Sequence, residues 1–362
     1  MSDEENDTDA EGDGDGRNGD GPAAVGVKLG STRTVVALPG RGGGLDVRES
    51  LTCIATYEDA ITGEQRVLFG EEAATEYPEQ VEFMLRSGLP EDERRAGLAD
   101  QFFDEFVESH DIPHDSVVVY AIPTIDNEEG LENLREVIED SPVGNRLTRS
   151  YPESLCGAMP AFDEPLDALE RIFVAVNLGS TNLEACAYRR GEQLIPFSTG
   201  SVTGNEVDRR IANYVEEETQ GRVNIDQTTA REYKEEHADF ENFEPFTDVI
   251  QQPGGGSHEF TIERSVMDAV DEYVDEAVDE ISNSFLPDLA NDYMKVYQLA
   301  LSKPIVLTGG MACIPGIVSE FERRLSEELD REVEAVAPDE PARAAATGAQ
   351  SIAARLVELE NY

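Results

Sequence analysis

The sequence predicts an α/β protein built from two related halves around a shared cleft, and three observations carry that prediction. First, the phrase VGVKLGSTRTVVAL at residues 25–38 recurs as VAVNLGSTNLEACA at residues 174–187. Val25, Val27, Leu29, Gly30, Ser31 and Thr32 meet Val174, Val176, Leu178, Gly179, Ser180 and Thr181, so each copy reads as apolar strand, small-residue turn and second strand. Second, a small-residue helix segment also repeats, Cys156-Gly157-Ala158 being echoed by Thr347-Gly348-Ala349. Third, buried-strand runs alternate with amphipathic helices along the chain, the pattern of layered α/β architecture. The loud mismatch between the copies is Lys28 against Asn177.

With 362 residues the chain has room for two medium domains, and 39% apolar content is enough for real cores. Asp and Glu total 77 against 28 Lys and Arg, for a net charge of −49. Lysine occurs only at Lys28, Lys234, Lys295 and Lys303; every other basic residue is Arg. Such acidity with few aromatics can signal disorder, but the clear apolar periodicity argues for a folded, halophilic protein suited to molar salt. There the Debye length is about 3 Å, so the charge is screened while carboxylates keep the surface hydrated. The balance speaks against nucleic acid as a partner. Cys53, Cys156, Cys186 and Cys313 are scattered without a CxxC pattern and read as reduced, mostly buried residues. No run of about 18 apolar residues exists, and the N-terminus is acidic where a signal segment would be basic and then apolar. A cytoplasmic protein without direct membrane insertion is expected.

Taken in order, residues 1–22 form an acidic, Gly-rich stretch read as a disordered tail. The first hairpin starts at Val25, a GRGGG turn follows at residues 40–44, and strand-like pieces lie near 51–57 and 66–69. Residues 70–111 read as helical, with Phe102, Phe103, Phe106 and Val107 at core spacing. The run SVVVYAI at residues 116–122, closed by Pro123, is a buried strand by length and β-branching. Residues 128–140 form an amphipathic helix through Leu131, Leu134 and Ile138, and YPESLCGA at 151–158 reads as a helix with a small-residue face. Beyond the second hairpin, a turn at 200–204 leads into a helix with Val207, Ile211 and Val215 inward. The triple glycine at 254–256 is the loop tip of a small peripheral subdomain. Residues 266–285 are the cleanest helix, Val266, Val270, Tyr273, Val274, Ala277, Val278 and Ile281 on one face and solvated carboxylates on the other. A buried strand then ends in Thr308-Gly309-Gly310, and Pro315-Gly316 precedes a helix with Ile317, Phe321, Leu325 and Leu329 inward.

A Gly-Ser-Thr turn offers backbone N–H groups and hydroxyls without bulk, which suits an anion nest. One such turn is weak evidence, because its hydroxyls can simply satisfy turn backbone. Two in-phase copies could grip one polyphosphate from both sides, and a Gly-rich strand end lets a flat ring or ribose lie against backbone. His110 and His114 have HxxxH spacing, but Pro113 breaks the helix and no third ligand clusters there, so no metal site is read.

The ordered set of motifs resembles the actin, MreB and heat-shock-chaperone ATPase superfamily across residues 24–357. VGVKLGSTRTVV and VAVNLGSTNLEA are similar to its two phosphate hairpins, YPESLCGA and AAATGA to its connecting helices, and IVLTGGMACIPGI to its adenosine motif. Phe69-Gly70-Glu71-Glu72-Ala73 and Gly204-Asn205-Glu206-Val207-Asp208 look most like the MreB branch. The acidic composition makes the chain similar to the haloarchaeal actin homologues called salactin and volactin. The resemblance implies two duplicated ribonuclease-H-like actin-fold domains around a nucleotide cleft, each with a small inserted subdomain. On that frame domain I covers residues 23–172, with an insert at about 50–100, and is completed by 338–362; domain II covers 173–337, with an insert at about 204–260.

It further implies phosphate contacts from Lys28, Gly30, Ser31, Thr32, Gly179, Ser180 and Thr181. Nucleoside contacts are implied for Gly204, Arg231, Lys234, Gly309, Gly310 and Met311, and catalytic roles for Glu153 and Asn177. The implied cofactor is ATP, with GTP open. Three departures from the family pattern leave Mg2+ and hydrolysis open. Each phosphate hairpin of the family carries an Asp where its first strand ends, and here those positions are Lys28 and Asn177. The first connecting helix opens with Glu-Pro or supplies a Gln, and here Tyr151-Pro152 precedes Glu153. The ribose pair of the MreB type is Glu and Lys three apart, and here it is Arg231 and Lys234. Unit charges about 4 Å apart interact by about 4 kcal/mol at an effective dielectric near 20. Lys28 therefore favours a bound triphosphate and repels the metal that normally clamps it. Binding with slow or lost hydrolysis is expected, and a Lys28 that blocks the site is the competing reading.

Within that superfamily, a chaperone would add a substrate-binding domain, a small-molecule kinase would carry insertions, and a membrane-tethering division actin would end in a basic amphipathic helix. The segment LVELE at 356–360 is short and acidic. The expectation is an actin-like protein that self-associates into filaments serving cell shape or intracellular organisation, with nucleotide state controlling assembly and adaptor proteins unidentified. A non-hydrolysing scaffold or adaptor, and a small-molecule phosphotransferase of the same fold, are the alternatives.

Overall fold

The polar text of the first residues gives way at Ala23 to alternating small and branched apolar residues, and the first sheet begins there. The structure, a computed structural model, describes residues 21–40, 42–251 and 257–360. The tail read at 1–22 falls almost wholly outside the described residues, and the loop tip at 254–256 falls outside them too.

Strands β1 (Ala23–Leu29), β2 (Arg33–Pro39) and β3 (Leu45–Leu51) make an antiparallel meander. A small three-stranded sheet follows, from β4 (Cys53–Glu58), β5 (Gln65–Phe69) and β6 (Val81–Phe83), with α1 (Gly70–Glu76) between the last two. The chain returns through α2 (Glu93–Ser109), β7 (Ser116–Ile122), α3 (Glu128–Asp140) and β8 (Leu147–Pro152). This completes a sheet of order β3-β2-β1-β7-β8, in which β7 is parallel to both neighbours. Helix α4 (Glu153–Ala158) then leads to the second half.

There β9 (Ile172–Leu178), β10 (Leu183–Arg189) and β11 (Glu192–Thr199) form the second meander. Helices α5 (Gly204–Glu218) and α6 (Gln227–His237) and the hairpin of β12 (Phe246–Gln251) and β13 (Ser257–Ile262) follow. Then come α7 (Ser265–Glu280), α8 (Leu286–Ala300), β14 (Ile305–Thr308), α9 (Ile317–Glu328), β15 (Ala335–Val336) and α10 (Ala344–Glu360). The second sheet has order β11-β10-β9-β14-β15, with β14 parallel to β9 and β15. The repeated phrase is thus one corner of a repeated sheet.

Three expected elements differ. Residues 70–111 are not one helical stretch: Pro78 follows the end of α1, and β6 pairs with β4 through Cys53 and Phe83. Helix at 151–158 begins only at Glu153, because Tyr151 and Pro152 stay extended and pair with Ala121 and Ile122 of β7. The helix at 266–285 does not stop there. A π-helical turn at Ile281–Phe285 carries α7 into α8, and Pro287 falls in the first turn of α8, where its missing N–H costs little.

Apolar faces explain the layering. Phe102, Phe103, Leu134 and Ile138 pack on the Val25, Val27 and Val118 face of the first sheet. Val266, Val270, Tyr273 and Val274 do the same for Val174, Val176 and Leu307 of the second. Between the sheets, Leu155 and Cys156 of α4 meet Ala349, Ile352 and Ala353 of α10 over Val119, Ala175 and Val306. Glycine sets that spacing: a Cβ on Gly348 would lie 1.9 Å from the Cys156 carbonyl oxygen, and one on Gly26 would lie 2.1 Å from the Ala346 carbonyl oxygen. The two small-residue helices therefore touch backbone to backbone. Among the described residues, no helix is long and apolar enough to cross a membrane. Cys53, Cys156 and Cys186 are buried and free, and Cys313 is free and exposed.

Candidate functional site

The turns of the two repeated hairpins close in the same way. Gly30 N–H donates to the Arg33 carbonyl at 3.1 Å, and Gly179 N–H donates to the Asn182 carbonyl at 3.0 Å. A Cβ would stand 2.5 Å from that carbonyl oxygen in the first turn and 2.6 Å in the second, so glycine is required twice for one reason. The two turns meet across the cleft, with Ser31 Oγ 3.0 Å from Thr181 Oγ1. Gly88 N–H also donates to Ser31 Oγ at 2.7 Å.

Helix α5 starts against the second turn. Gly204 N–H donates to the Gly179 carbonyl and Asn205 N–H to the Ser180 carbonyl, while Thr203 caps the helix by accepting from Glu206 N–H at 3.1 Å. The first N–H groups of α5 are thereby spent on the carbonyls of the second turn and on the helix's own cap, so the helix start braces that turn against the cleft.

A cavity of about 320 Å³ lies between the halves, within the usual size range of ligand pockets. Lys28, Gly30, Ser31, Thr32, Gly179 and Ser180 line it from the hairpins, and Gly204, Arg231, Lys234, Gly310 and Met311 line it from the second half. Thr181 opens instead onto an adjoining space of about 160 Å³, shared with Ser31, Thr32 and Arg231. Gly309 does not line the cavity. At φ +92° it packs beneath, where a Cβ would meet Asn177 Oδ1 and the Leu178 carbonyl at 2.5 Å, so its role is to let β14 close on β9. Glu153 and Asn177 also sit under the cavity floor rather than in its wall, both buried.

That floor is one connected polar group. Lys28 Nζ lies 2.7 Å from Glu153 Oε1, and Asn177 Nδ2 donates to the same oxygen at 3.0 Å. The pair is largely buried, with side-chain exposures of 16% and 10%. The residues standing at the two expected Asp positions therefore converge on the carboxylate that opens α4. Lys234 is likewise engaged, 2.6 Å from Asp208 Oδ1 and donating to the Gly204 carbonyl at 3.3 Å. Burial pushes the Asp208 carboxyl up, and Lys234 pulls it back. Arg231 stacks its guanidinium 5.9 Å from the Phe83 ring centre, and Arg33 spans from Glu71, at 3.7 Å, to Glu235 of α6, at 3.8 Å. Arg231 thus ties α6 to the small sheet, and Arg33 of β2 bridges α1 and α6, across the cleft mouth.

Sequence reasoning missed Glu184. It faces Asn177 across the β9–β10 pair, is fully buried, and accepts from Asn182 Nδ2 at 2.5 Å. Burial pushes its carboxyl up to about 8, with the Glu153 charge adding to the rise and hydrogen bonds from Thr124 and Asn182 opposing it. The available signal was a lone carboxylate inside an otherwise apolar strand, LEACAY. Arg33, Glu49 and Cys313 also line the cavity without having been singled out. A more voluminous groove of about 870 Å³ carries Arg210 and Arg324 but is bordered mainly by Asp275, Glu276, Asp279, Glu280, Glu327 and Glu328. Ser201 and Val202 also border it, but the carboxylates dominate, so it suits no anionic ligand.

A family model described as Salactin matches residues 22–357. Salactin of Halobacterium salinarum is 68% identical over 363 residues, spanning 100% of both chains. Among solved structures, MreB5 of Spiroplasma citri bound to AMPPNP superposes with a TM-score of 0.73 at 16% identity, covering 94% of this chain and 98% of that one. A MamK double helical filament gives 0.70 at 18% identity, covering 91% and 98%. At such identities these two likenesses speak for the fold: two duplicated, ribonuclease-H-like actin domains.

Proposed function

The chain belongs to the Salactin family, and on that footing we propose that it is an actin-like cytoskeletal protein that binds adenine nucleotide and self-associates into filaments. Its setting is a halophilic cytoplasm, its filaments serve cell shape or intracellular organisation, and nucleotide state governs their stability. The observation that carries the reading is the facing pair of equivalent turns, joined by Ser31 and Thr181 at 3.0 Å, with the N-terminus of α5 bonded directly to one of them. Two such turns bracket a polyphosphate between the two halves. The Spiroplasma citri neighbours bound to AMPPNP and to ADP, and the MamK filament, support the same ligand class and the same kind of assembly.

High-salt pelleting of purified protein, with and without ATP and Mg2+ and with released phosphate measured alongside, tests this. A pellet that depends on ATP is the expected result, and no pellet under any condition would sink the filament reading. A specific observation favours a second reading, a non-hydrolysing scaffold. Glu153, the carboxylate nearest to where water would be activated, is held by Lys28 and Asn177. Pelleting without phosphate release is the outcome that would select it. Restoring both carboxylates, Lys28→Asp with Asn177→Asp, then raises phosphate release if these two positions are what silenced it.

A further inference from the structure

The ion that the superfamily resemblance implies does not fit the cleft floor. Mg2+ is held through one or two carboxylates together with waters and substrate phosphates. Two carboxyl groups lie under the turns: Glu153, which already carries the Lys28 ammonium at 2.7 Å and the Asn177 amide at 3.0 Å, and Glu184, which is fully buried, does not line the cavity and is held toward its neutral form by burial. A divalent ion sharing the Glu153 carboxylate would sit beside a buried ammonium. The carboxylates that line the cavity have cationic partners too, close ones for Glu49 and Asp208 and a loose one for the exposed Glu235. Glu49 accepts both Arg343 Nε and Nη2 at 2.9 and 2.8 Å, Asp208 holds Lys234 at 2.6 Å, and Glu235 faces Arg33 at 3.8 Å. Among the described residues, no cluster of His, Cys, Asp and Glu gathers to hold a metal.

Resting on the nucleotide reading above, we infer that the cleft takes the polyphosphate as a metal-free anion, with the Lys28 ammonium supplying the positive charge a divalent ion would bring. The Lys28 stem runs beneath the first turn, its Cε 3.3 Å from where a Gly30 Cβ would stand, and the residue lines the cavity. A short swing carries the ammonium from Glu153 toward an anion lying between the turns. Asn177 makes that swing tolerable: its amide stays on Glu153 Oε1, so the buried carboxylate keeps a partner when the ammonium leaves it. Lys28 and Asn177 are then a matched pair, one gripping the ligand and the other covering for it.

ATP binding to the full chain, measured by calorimetry in molar potassium chloride with either EDTA or Mg2+ at constant ionic strength, decides the matter. The wild type is expected to bind with dissociation constants within about 2-fold of each other in the two buffers. Lys28→Met is expected to weaken binding in EDTA by ~10-fold or more, Lys28→Arg to retain it, and Lys28→Asp with Asn177→Asp to become Mg2+-dependent by a similar factor. Wild-type binding that is ~10-fold or more tighter with Mg2+ would overturn the inference while leaving the nucleotide reading intact. No binding in either buffer would overturn the nucleotide reading itself. Circular dichroism of each variant identifies any that fails to fold, and the wild-type comparison stands without them.

Discussion

Ser31 of the first hairpin and Thr181 of the second share a hydroxyl–hydroxyl hydrogen bond of 3.0 Å across the cleft, a direct link between the two repeated turns. The partners are not the residues that the repeat aligns, since Thr181 is the counterpart of Thr32. The halves therefore face each other one residue out of step. A polyphosphate entering between the turns must replace this bond with contacts to itself. Thr181→Ala removes the bond at a half-buried position, so folding stability should fall by only about 1 kcal/mol, while the ATP dissociation constant rises. Thermal unfolding and calorimetry on the same preparation separate the two effects, and a loss of stability without a loss of affinity would place Thr181 outside the ligand's reach.

Glu184 makes stability depend on pH in a direction opposite to most acidic residues. Its folded carboxyl is raised from 4.5 to about 8 by burial, so the folded state keeps a proton that the unfolded chain has already released. Where the native state binds more protons, unfolding free energy falls as pH rises. The contribution is complete below about 4.5 and is lost progressively up to about 8. Glu184→Gln should flatten the decline in melting temperature between about pH 5 and about pH 8. An unchanged slope would mean that Glu184 is already ionised in the fold.

The contacts at the cleft mouth, Arg33 to Glu235 and Arg231 over Phe83, join parts of the two halves beside the cavity. Both are exposed enough that each contributes about 0–1 kcal/mol. Arg231→Ala with Glu235→Gln should therefore speed release of a fluorescent adenine nucleotide by up to about 10-fold while leaving the melting temperature almost unchanged. Stopped-flow displacement reads this directly. Equal release rates would show that exit does not pass this mouth.

Substitution at the helix crossing should be far more damaging. A Cβ on Gly348 would fall 1.9 Å from the Cys156 carbonyl oxygen, and the obstacle is backbone rather than a flexible side chain. Gly348→Ala should cost about 3 kcal/mol or more, measurable as a lowered chemical-denaturation midpoint. Gly97, which meets nothing within 4 Å, provides the control: Gly97→Ala in α2 should stabilise slightly.

Much of the fold was legible because the repeat is carried by residues whose roles are local. Gly30 and Gly179 are fixed by turn closure, and Cys156-Gly157-Ala158 and Thr347-Gly348-Ala349 by the need for two helices to touch. Pairing partners remote in sequence were less visible. Nothing in YPESLCGA reveals that Tyr151 and Pro152 are held extended by Ala121 and Ile122, and nothing near Pro78 announces that Phe83 pairs with Cys53. In the cleft, residue identity at Lys28 and Asn177 could be read, but their meeting on one oxygen of Glu153 could not, because it depends on three elements arriving together. Glu184 was overlooked since strand periodicity says which face a residue occupies and not what lies against that face.

The scarcity of lysine has a practical side. Of the four, Lys28 and Lys234 line the cavity, while Lys295 and Lys303 are the exposed pair. An amine-selective acylating reagent therefore meets few side-chain targets, and two of the four lysines report on the cavity. Mass mapping of such labelling, with Lys295 and Lys303 as internal standards, would give a footprint of ligand entry in the unmodified chain without any introduced probe.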